Sequence, residues 1–475
     1  MSKINSMMDT GRRSMMNSQT ALQTVGHNIA NKTTEGFSRQ RVELQTSEAV
    51  GSGKLRIGTG SKTALITRIN NPYLEKQIGG EQAKLGYYEG RGDAMVRVEQ
   101  VYNEQVNKGL NSYMGDFFNA FREFSNNPEN LATRTQVKET AEFLTRDFKR
   151  VSKQLSDIQR DIDQQVITHI HEINEIAREV GNLNEKVQSI QIAGGPANDE
   201  RDRRDLLIKQ LGEKINIRWA EGEDGMVTVS AGNSALLVAG YDAKTLEAKG
   251  TPANDTKGEG AVDVFYLSSE RATPYSITNQ IVGGKLGGLL EVRDKIINDL
   301  HANVDQMAVT LGESVNELHR QGFDAYNNKA GDFFSFQEGG EHYAADMYIA
   351  KEVQEDVGRI ASGLIPNAPA DNRVSTKISQ LQQTALMDEG RFSLDDFYNS
   401  MVGQVGIQTK RTQTAQDAQS DIVKQLGNIR ESISGVSLDE ETTKLIEYQK
   451  AFDAAARLIR TADEMFDTVL NLKRM

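Results

Sequence analysis

The chain has 475 residues, of which 37% are hydrophobic and 6% aromatic, and a formal net charge of −12. That length exceeds one compact core, and so thin a supply of apolar residues favours elongated helices with narrow seams over a single large globule. The acidic balance argues against nucleic acid as a partner. The absence of cysteine excludes disulfide scaffolds, thiolate catalysis and Cys-ligated metals, and no stretch approaches the roughly 18 apolar residues that a membrane span needs.

Taken in chain order, the start MSKINSMMDTGRRSMMNSQ lacks the compact apolar core of a cleaved secretory signal. Ile4, Met8, Gly11, Met15, Ser18, Leu22, Val25 and Ile29 recur at alternating spacings of four and three, which predicts one helix to about Asn31 with Gly11 and Ser18 as small, weak seam positions. Such a helix, about 44 Å long, is marginal alone in water, so the ends are expected to stay largely disordered until a partner buries them. Residues 34–70 are rich in Gly, Thr and Ser and read as an extended arm or hairpin. Helical pattern runs from Tyr73 to about Ile192, broken once at Asn126-Asn127-Pro128 and stopped by Ala193-Gly194-Gly195-Pro196, after which Asn198 is placed to cap a short helix.

Residues 215–282 differ in kind. Ile215, Ile217 and Trp219 alternate, as do Val227 with Val229 and Val262 with Val264 and Tyr266, so a small β domain is inserted in the helical chain. Helix resumes after Gly287-Gly288 to about Arg320, and an irregular stretch with Pro366 and Pro369 follows. A proline-free helix from Ser393 carries Ile422, Leu426, Ile429 and Ile433 at three–four spacing. Gly435 is positioned to close it as a C′ glycine, and Ser437 with Glu440 to open the next with a capping box. The last helix has a seam of Leu445, Tyr448, Phe452, Ala455, Ile459, Ala462, Phe466 and Val469, with a second row of Ala451, Leu458, Met465 and Leu472 beside it. A stripe that wide is buried on more than one side, and its place opposite the first helix points to pairing of the two ends. The expected fold is mainly α and elongated, with paired terminal helices and a small β insertion.

Motifs that could carry chemistry are weak. His169 and His171 are two apart on a helix and point to different faces. Gly283-Gly284-Lys285-Leu286-Gly287-Gly288 lacks the order of a phosphate-binding loop and reads as a strand-to-helix junction. The alternating charges Asp199 to Asp205 read as a solvated or ion-paired face. No catalytic, cofactor or metal residue is assigned, and the chain is read as a structural subunit, not an enzyme.

The residues also carry a family resemblance. Ser18-Gln19-Thr20-Ala21-Leu22-Gln23-Thr24-Val25-Gly26-His27-Asn28-Ile29-Ala30-Asn31 resembles the N-terminal signature of bacterial flagellar rod, hook and hook-associated proteins. Gly36-Phe37-Ser38-Arg39-Gln40 sharpens the likeness toward the hook-associated protein 1 (FlgK) family. Ser434-Gly435-Val436-Ser437-Leu438-Asp439-Glu440-Glu441, Tyr448-Gln449-Lys450-Ala451-Phe452 and Thr461-Ala462-Asp463-Glu464-Met465-Phe466 agree with it, as do Arg203-Arg204-Asp205-Leu206-Leu207, Gly284 to Leu289 and Pro369-Ala370-Asp371-Asn372.

The resemblance implies a subunit joining the flagellar hook to the filament. Residues 1–33 with 436–475 would form a terminal coiled-coil domain lining a tube, 34–214 with 283–435 a helical middle domain, and 215–282 a small β-rich outer domain. It implies unfolded export through the flagellar type III apparatus, and a cytoplasmic chaperone that binds the C-terminal region before export. Outside the cell the subunit would assemble with its own copies, with hook subunits and with the next hook-associated protein. The assembly seam is then Ile4, Met8, Met15, Leu22, Val25, Ile29, Leu445, Tyr448, Phe452, Leu458, Ile459, Met465, Phe466, Val469 and Leu472. Where many members read Asn-Thr-Pro-Gly-Tyr this chain has Thr33-Thr34-Glu35-Gly36-Phe37, which leaves Gly36 to supply the turn. A hook or distal rod subunit is the nearest alternative; a generic coiled-coil adaptor and a cell-wall hydrolase are more distant ones.

Overall fold

A computed structural model describes residues 2–52, 55–103, 108–250, 261–269, 273–337 and 342–472. Helix α1 (Ser2–Ala30) leads into strands β1 (Gln40–Thr46), β2 (Val50–Ser52), β3 (Leu55–Ile57) and β4 (Ser61–Arg68), a hairpin in which β1 pairs antiparallel with β4 and β2 with β3. Four helices follow: α2 (Pro72–Val101), α3 (Leu110–Asn126), α4 (Leu131–Ile192) and α5 (Asn198–Lys214). The β region comprises β5 (Ile217–Glu221), β6 (Val227–Ala231), β7 (Ala235–Ala239), β8 (Asp242–Ala243), β9 (Thr245–Gly250), β10 (Val262–Leu267) and β11 (Tyr275–Ser276). They form one sheet in the order β5-β6-β7-β8 and a second in the order β11-β10-β9.

Helix α6 (Gly284–Glu291) runs through a wider-wound π segment at Val292–Ile297 into α7 (Asn298–Arg320). A short mixed stretch holds β12 (Phe334–Phe336), α8 (Tyr343–Asp346), β13 (Met347–Ile349), α9 (Lys351–Glu355) and α10 (Arg373–Gln380). The long helices α11 (Leu394–Ser434) and α12 (Leu438–Leu472) complete the chain. The fold is mainly α with a small β region and with the two terminal helices packed together, as the patterning predicts.

Local chemistry accounts for the helix starts. Asn71 accepts from the N–H groups of Tyr73 and Leu74 with Pro72 in the first turn, and Asn130 accepts from Ala132. Ser393 caps α11 by accepting from the Asp396 N–H, and its hydroxyl donates to the Asp396 carboxylate, which holds the cap in place. Asn198, expected to cap α5, does not. The N-cap is Ala197, in the left-handed region at φ 43°, and the Asn198 amide is spent on the hairpin described below.

The helical stretch expected to break once breaks twice, because α2 ends at Val101 and α3 starts at Leu110. Periodicity is blind to such a break when apolar residues continue on both sides, as Val98, Val101, Leu110 and Met114 do here. The glycines read as a strand-to-helix junction also have another role. Gly287 and Gly288 lie inside α6, and a Cβ on Gly288 would collide with the Tyr87 carbonyl of α2. Gly86 and Gly90 of α2 meet the backbone of Glu213 and Lys285 in the same way, so α2, α5 and α6 touch main chain to main chain.

Helix α4, 62 residues and so about 93 Å long, is the spine. Its Ile170, Ile173 and Val180 share one continuous core with Val227, Val229 and Leu237 of the strands, so the β region does not carry a separate core. Two asparagines of α4 fix its position. Asn174 donates to the Leu246 carbonyl and accepts from the Leu246 N–H, both at 2.8 Å. Asn184, fully buried, does the same to Val227 at 2.8 and 3.0 Å. Arg293 adds a third tie, donating to Asp163 at 2.5 Å and to the Val262 carbonyl at 2.7 Å.

Two buried histidines give the body a pH dependence. His319 donates from Nδ1 to the Gly331 carbonyl and accepts the Ala361 N–H at Nε2, the arrangement of a neutral ring. His301 stacks on His342 with centroids 3.9 Å apart. Burial pushes both His301 and His319 down to about 4, with His342 adding to the effect at His301. The unfolded chain takes up these protons near pH 6.5 and the folded one near 4, so the stability is full above 6.5 and is lost as pH falls. The slope is about 1.4 kcal/mol per pH unit for each histidine. Urea unfolding between pH 7.5 and 4.5 should show this decline, with His319→Asn flattening it by about one proton; an unchanged slope would contradict the assignment.

Candidate functional site: the terminal helical pair and its joint

Helices α1 and α12 run antiparallel, since Gly11 faces Ile459 at one level and Asn28 meets Glu441 at another. A Cβ on Gly11 would come within 2.7 Å of Ile459 Cγ1 and 3.5 Å of the Ala455 carbonyl, so the small residue sets the closeness of the pair. The centre of the contact is a row of small or slim side chains: Gly11, Ser18, Ala21 and Val25 on α1 and Ala455 and Ala462 on α12, all buried. These include the seam positions expected to be weak, and close helix approach is what makes them central.

The larger seam residues lie around that row. Ile4, Met8, Met15, Leu22, Ile29, Leu445, Tyr448, Phe452, Leu458, Ile459 and Phe466 are only half-buried in the single chain. Met465 and Val469 are exposed, and the Leu472 side chain lies outside the described residues. Met16, Ile446 and Leu470, which the heptad reading passed over, are exposed as well. Both ends, expected to be disordered without neighbours, are helical here, each packed on the other; among the charged residues on the outside of the pair several apolar side chains stay exposed.

At its base the pair is held by a polar joint built from the signature residues. Asn28, 1% exposed, donates to the Gln40 carbonyl and accepts from the Gln40 N–H, each at 2.9 Å, and donates to Glu441 at 2.9 Å. Glu441, equally buried, also takes Arg39 Nε at 2.8 Å. Arg39 reaches Glu440 at 2.7 Å with its other arm, so Glu440 is turned to the joint and the Ser437–Glu440 capping box does not close α12. Asn31 caps the end of α1 by donating to the His27 carbonyl, while Ala30 faces solvent. Gly36 turns the chain at φ +80°, the left-handed conformation that glycine adopts without steric cost. Buried Phe37 then meets the His27 ring edge-on at 5.5 Å.

The body grips the same loop from the other side. The Ser38 N–H donates to Asp202, which with Asp205 holds Arg68 at 2.7 and 2.9 Å. Burial works against the Arg68 charge, but the two carboxylates outweigh it and raise its pKa. The Gln40 side chain donates to Asp199 and accepts from Asn198, whose amide also reaches the Ile66 carbonyl. The charge run of α5 is therefore an ion-paired clamp, with Arg204 fully buried against Asn184, Gly225 and Glu221. Arg430 of α11 donates to the carbonyls of Gly36 and Phe37 and to Glu75, which also pairs with Lys209. Burial opposes the Glu75 charge, yet Lys209 and then Arg430 hold its carboxyl below the usual range.

Gly435 follows α11 in extended backbone at φ −73°, so it is no left-handed cap; it is needed because a Cβ there would collide with the Glu431 carbonyl. Of the joint, Asn28, Phe37, Ser38, Arg39 and Gln40 were legible as a motif. Glu441 lies in the segment Ser434 to Glu441 with nothing in its spacing to mark it, and Asp202, Arg68, Arg430 and Glu75 carry no sequence signal beyond their charge. His169 pairs with Glu172 at 2.9 Å, and no helix among the described residues is long and apolar enough to cross a membrane.

The candidate site is thus an antiparallel pair of terminal helices that leaves several apolar side chains on its outside and is tied to the body at its base. Comparison with known proteins gives the class. Residues 95–334 match the family described as flagellar hook-associated protein FlgK helical domain, and residues 430–472 match the flagellar basal body rod FlgEFG protein C-terminal family. The flagellar hook-associated protein 1 of Bacillus subtilis strain 168 is 27% identical over 499 residues, covering 98% of this chain and 97% of the relative. That of Salmonella typhimurium is 24% identical over 546 residues, covering 96% and 97%. The solved structure of the flagellar hook junction protein FlgK from Burkholderia pseudomallei shares the fold with a TM-score of 0.68 at 13% identity, over 75% of this chain and 100% of that one. The chain belongs to the FlgK family of flagellar hook-associated proteins and is a structural component of the flagellum.

Asn28→Ala strips partners from both backbone groups of Gln40 and one from buried Glu441. Each orphaned group costs about 1–3 kcal/mol. Urea unfolding should fall by roughly 3 kcal/mol, with amide exchange accelerated in Gln40–Thr46 and the first turns of α12. Unchanged exchange there would show that the joint does not depend on Asn28.

Proposed function

We propose that this chain joins the flagellar hook to the filament, polymerising into a tube through the outer apolar face of the α1–α12 pair. The observation that carries this reading is that the pair buries its small residues and leaves Met16, Ile446, Met465 and Val469 exposed on a helical rod anchored at one end. Exposed apolar side chains on one helical pair favour burial against neighbours. The names of the relatives, and the hook junction named for the Burkholderia structure, support the position between hook and filament.

In this reading residues 1–33 with 436–475 are the tube-forming domain, 34–214 with 283–435 the supporting layer, and 215–282 the outward-facing part. The subunit leaves the cytoplasm unfolded through the type III apparatus, its C-terminal region held beforehand by a chaperone. It assembles outside the cell on hook subunits and receives the next hook-associated protein. The low burial of large residues in the pair supports that order of events, since little packing has to be undone before export. The rod-type match at 430–472 favours a second reading, a rod or hook position, because that helix is common to both; the helical domain at 95–334 is what separates them.

Phe452→Asp or Phe466→Asp places a charge on the half-buried row of α12. Either variant should keep the body's circular dichroism and thermal transition while abolishing polymerisation and filament growth from hooks in a deletion strain. Immunogold labelling of the wild type should mark the hook tip. Filaments from the variants would contradict the seam, and label along the rod would favour the second reading.

A further inference from the structure

Beside the joint lies a cleft of about 790 Å³ between α2, α5 and β5, unused by the terminal pair. Its floor is bare helix backbone. A Cβ on Gly79 or Gly80 would meet nothing within 4 Å, so these two glycines leave space where Gly86 and Gly90 farther along α2 are met by main chain. Its walls are aromatic. Tyr73, 79% exposed, stands at one side, and partly exposed Trp219, the only tryptophan of the chain, at the other.

The charges around the cleft are unequal. The cations at the back are matched, Arg68 by Asp205 and Lys209 by Glu75. At the mouth, Lys76 lies 5.5 Å over the Trp219 ring and Arg218 touches only the Asn233 amide oxygen at 3.4 Å. Among the described residues neither has a carboxylate at ion-pairing distance. Open space over two glycines, two aromatic walls and two unmatched cations suit an apolar-tipped segment that carries carboxylates.

We propose that this cleft is a docking site for a second copy of the chain in the assembled tube, through an acidic segment of that copy. Charge complementarity selects the occupant. Each copy has a net charge of −12, so a second copy is an acidic neighbour, and a mouth with two cations unmatched by carboxylates is where it is attracted. The back wall, Glu75 and Lys209, is part of the joint, so an occupant would press on the elements that hold the terminal pair. The proposal rests on the assembly reading above and adds a second contact to it.

A benzophenone amino acid placed at Tyr73, with a control at Ile446 on α12, tests this in flagellated cells. Illumination should give an adduct of two copies from both positions. The Tyr73 adduct should fall about tenfold in a Lys76→Glu, Arg218→Glu variant, both residues being exposed and without a carboxylate at ion-pairing distance among the described residues. Acrylamide quenching of Trp219 in purified polymer should drop relative to monomer. An Ile446 adduct without a Tyr73 adduct, or a Tyr73 adduct to another protein only, overturns the cleft and leaves the assembly reading standing. No adduct from either position overturns both.

Discussion

At five places among the described residues a strand peptide faces a helix with no strand partner on that side, and in each case a helical asparagine stands in for the missing strand. Asn28 of α1 pairs with Gln40, Asn17 of α1 with Ser61 and Thr63, and Asn174 and Asn184 of α4 with Leu246 and Val227. Asn316 of α7 pairs with Phe334. The asparagine side chain is itself an amide, so it can offer one donor and one acceptor in the geometry of a neighbouring peptide. A buried strand edge would otherwise leave both groups unsatisfied, at about 1–3 kcal/mol each. The device explains how a chain with few apolar residues fixes short, polar strands onto long helices: hydrogen bonds set the register where packing area is scarce.

At Asn28 the same device is joined to a charge. Its amide satisfies Gln40 and also reaches Glu441, so one side chain links the end of α1, the start of the hairpin and the start of α12. Residues 413 apart in sequence meet there. Breaking a buried pair such as Glu441 with Arg39 costs about 3–5 kcal/mol, far more than an exposed one, so the joint is stiff where the rods are not. The body behind it is made stiff by other means, the glycine contacts among α2, α5 and α6. The molecule thus combines a rigid block, a rigid joint and a slender pair of helices whose packing is thin.

Much of this was legible because helical periodicity and proline placement are strong signals over long segments. The helices α1 and α12 and the β region follow from apolar spacing, and the hairpin from the Gly, Thr and Ser richness of residues 34–70. What escaped notice depends on partners distant in sequence. Asn198 has the look of a cap, yet its amide is claimed by Ile66, and Gly288 has the look of a junction, yet it is where Tyr87 passes. Gly435 has the look of a left-handed stop and is a site of close approach. In each case local chemistry was read correctly for an isolated segment and tertiary contact assigned the residue another task. An asparagine within an otherwise regular helical pattern, a residue that gains nothing from being helical, is the signal that could have located the joint from α1.

The central claim is that the α1–α12 pair is firmly held only at its base and completes its packing against neighbouring copies. Amide hydrogen exchange on monomer and polymer tests it directly. The account predicts protection in the monomer near Asn28 and Glu441, fast exchange toward residues 2–15 and 460–472, and a large gain there on assembly. Strong protection along the full length of both helices in the dilute monomer, with no gain on assembly, would contradict it.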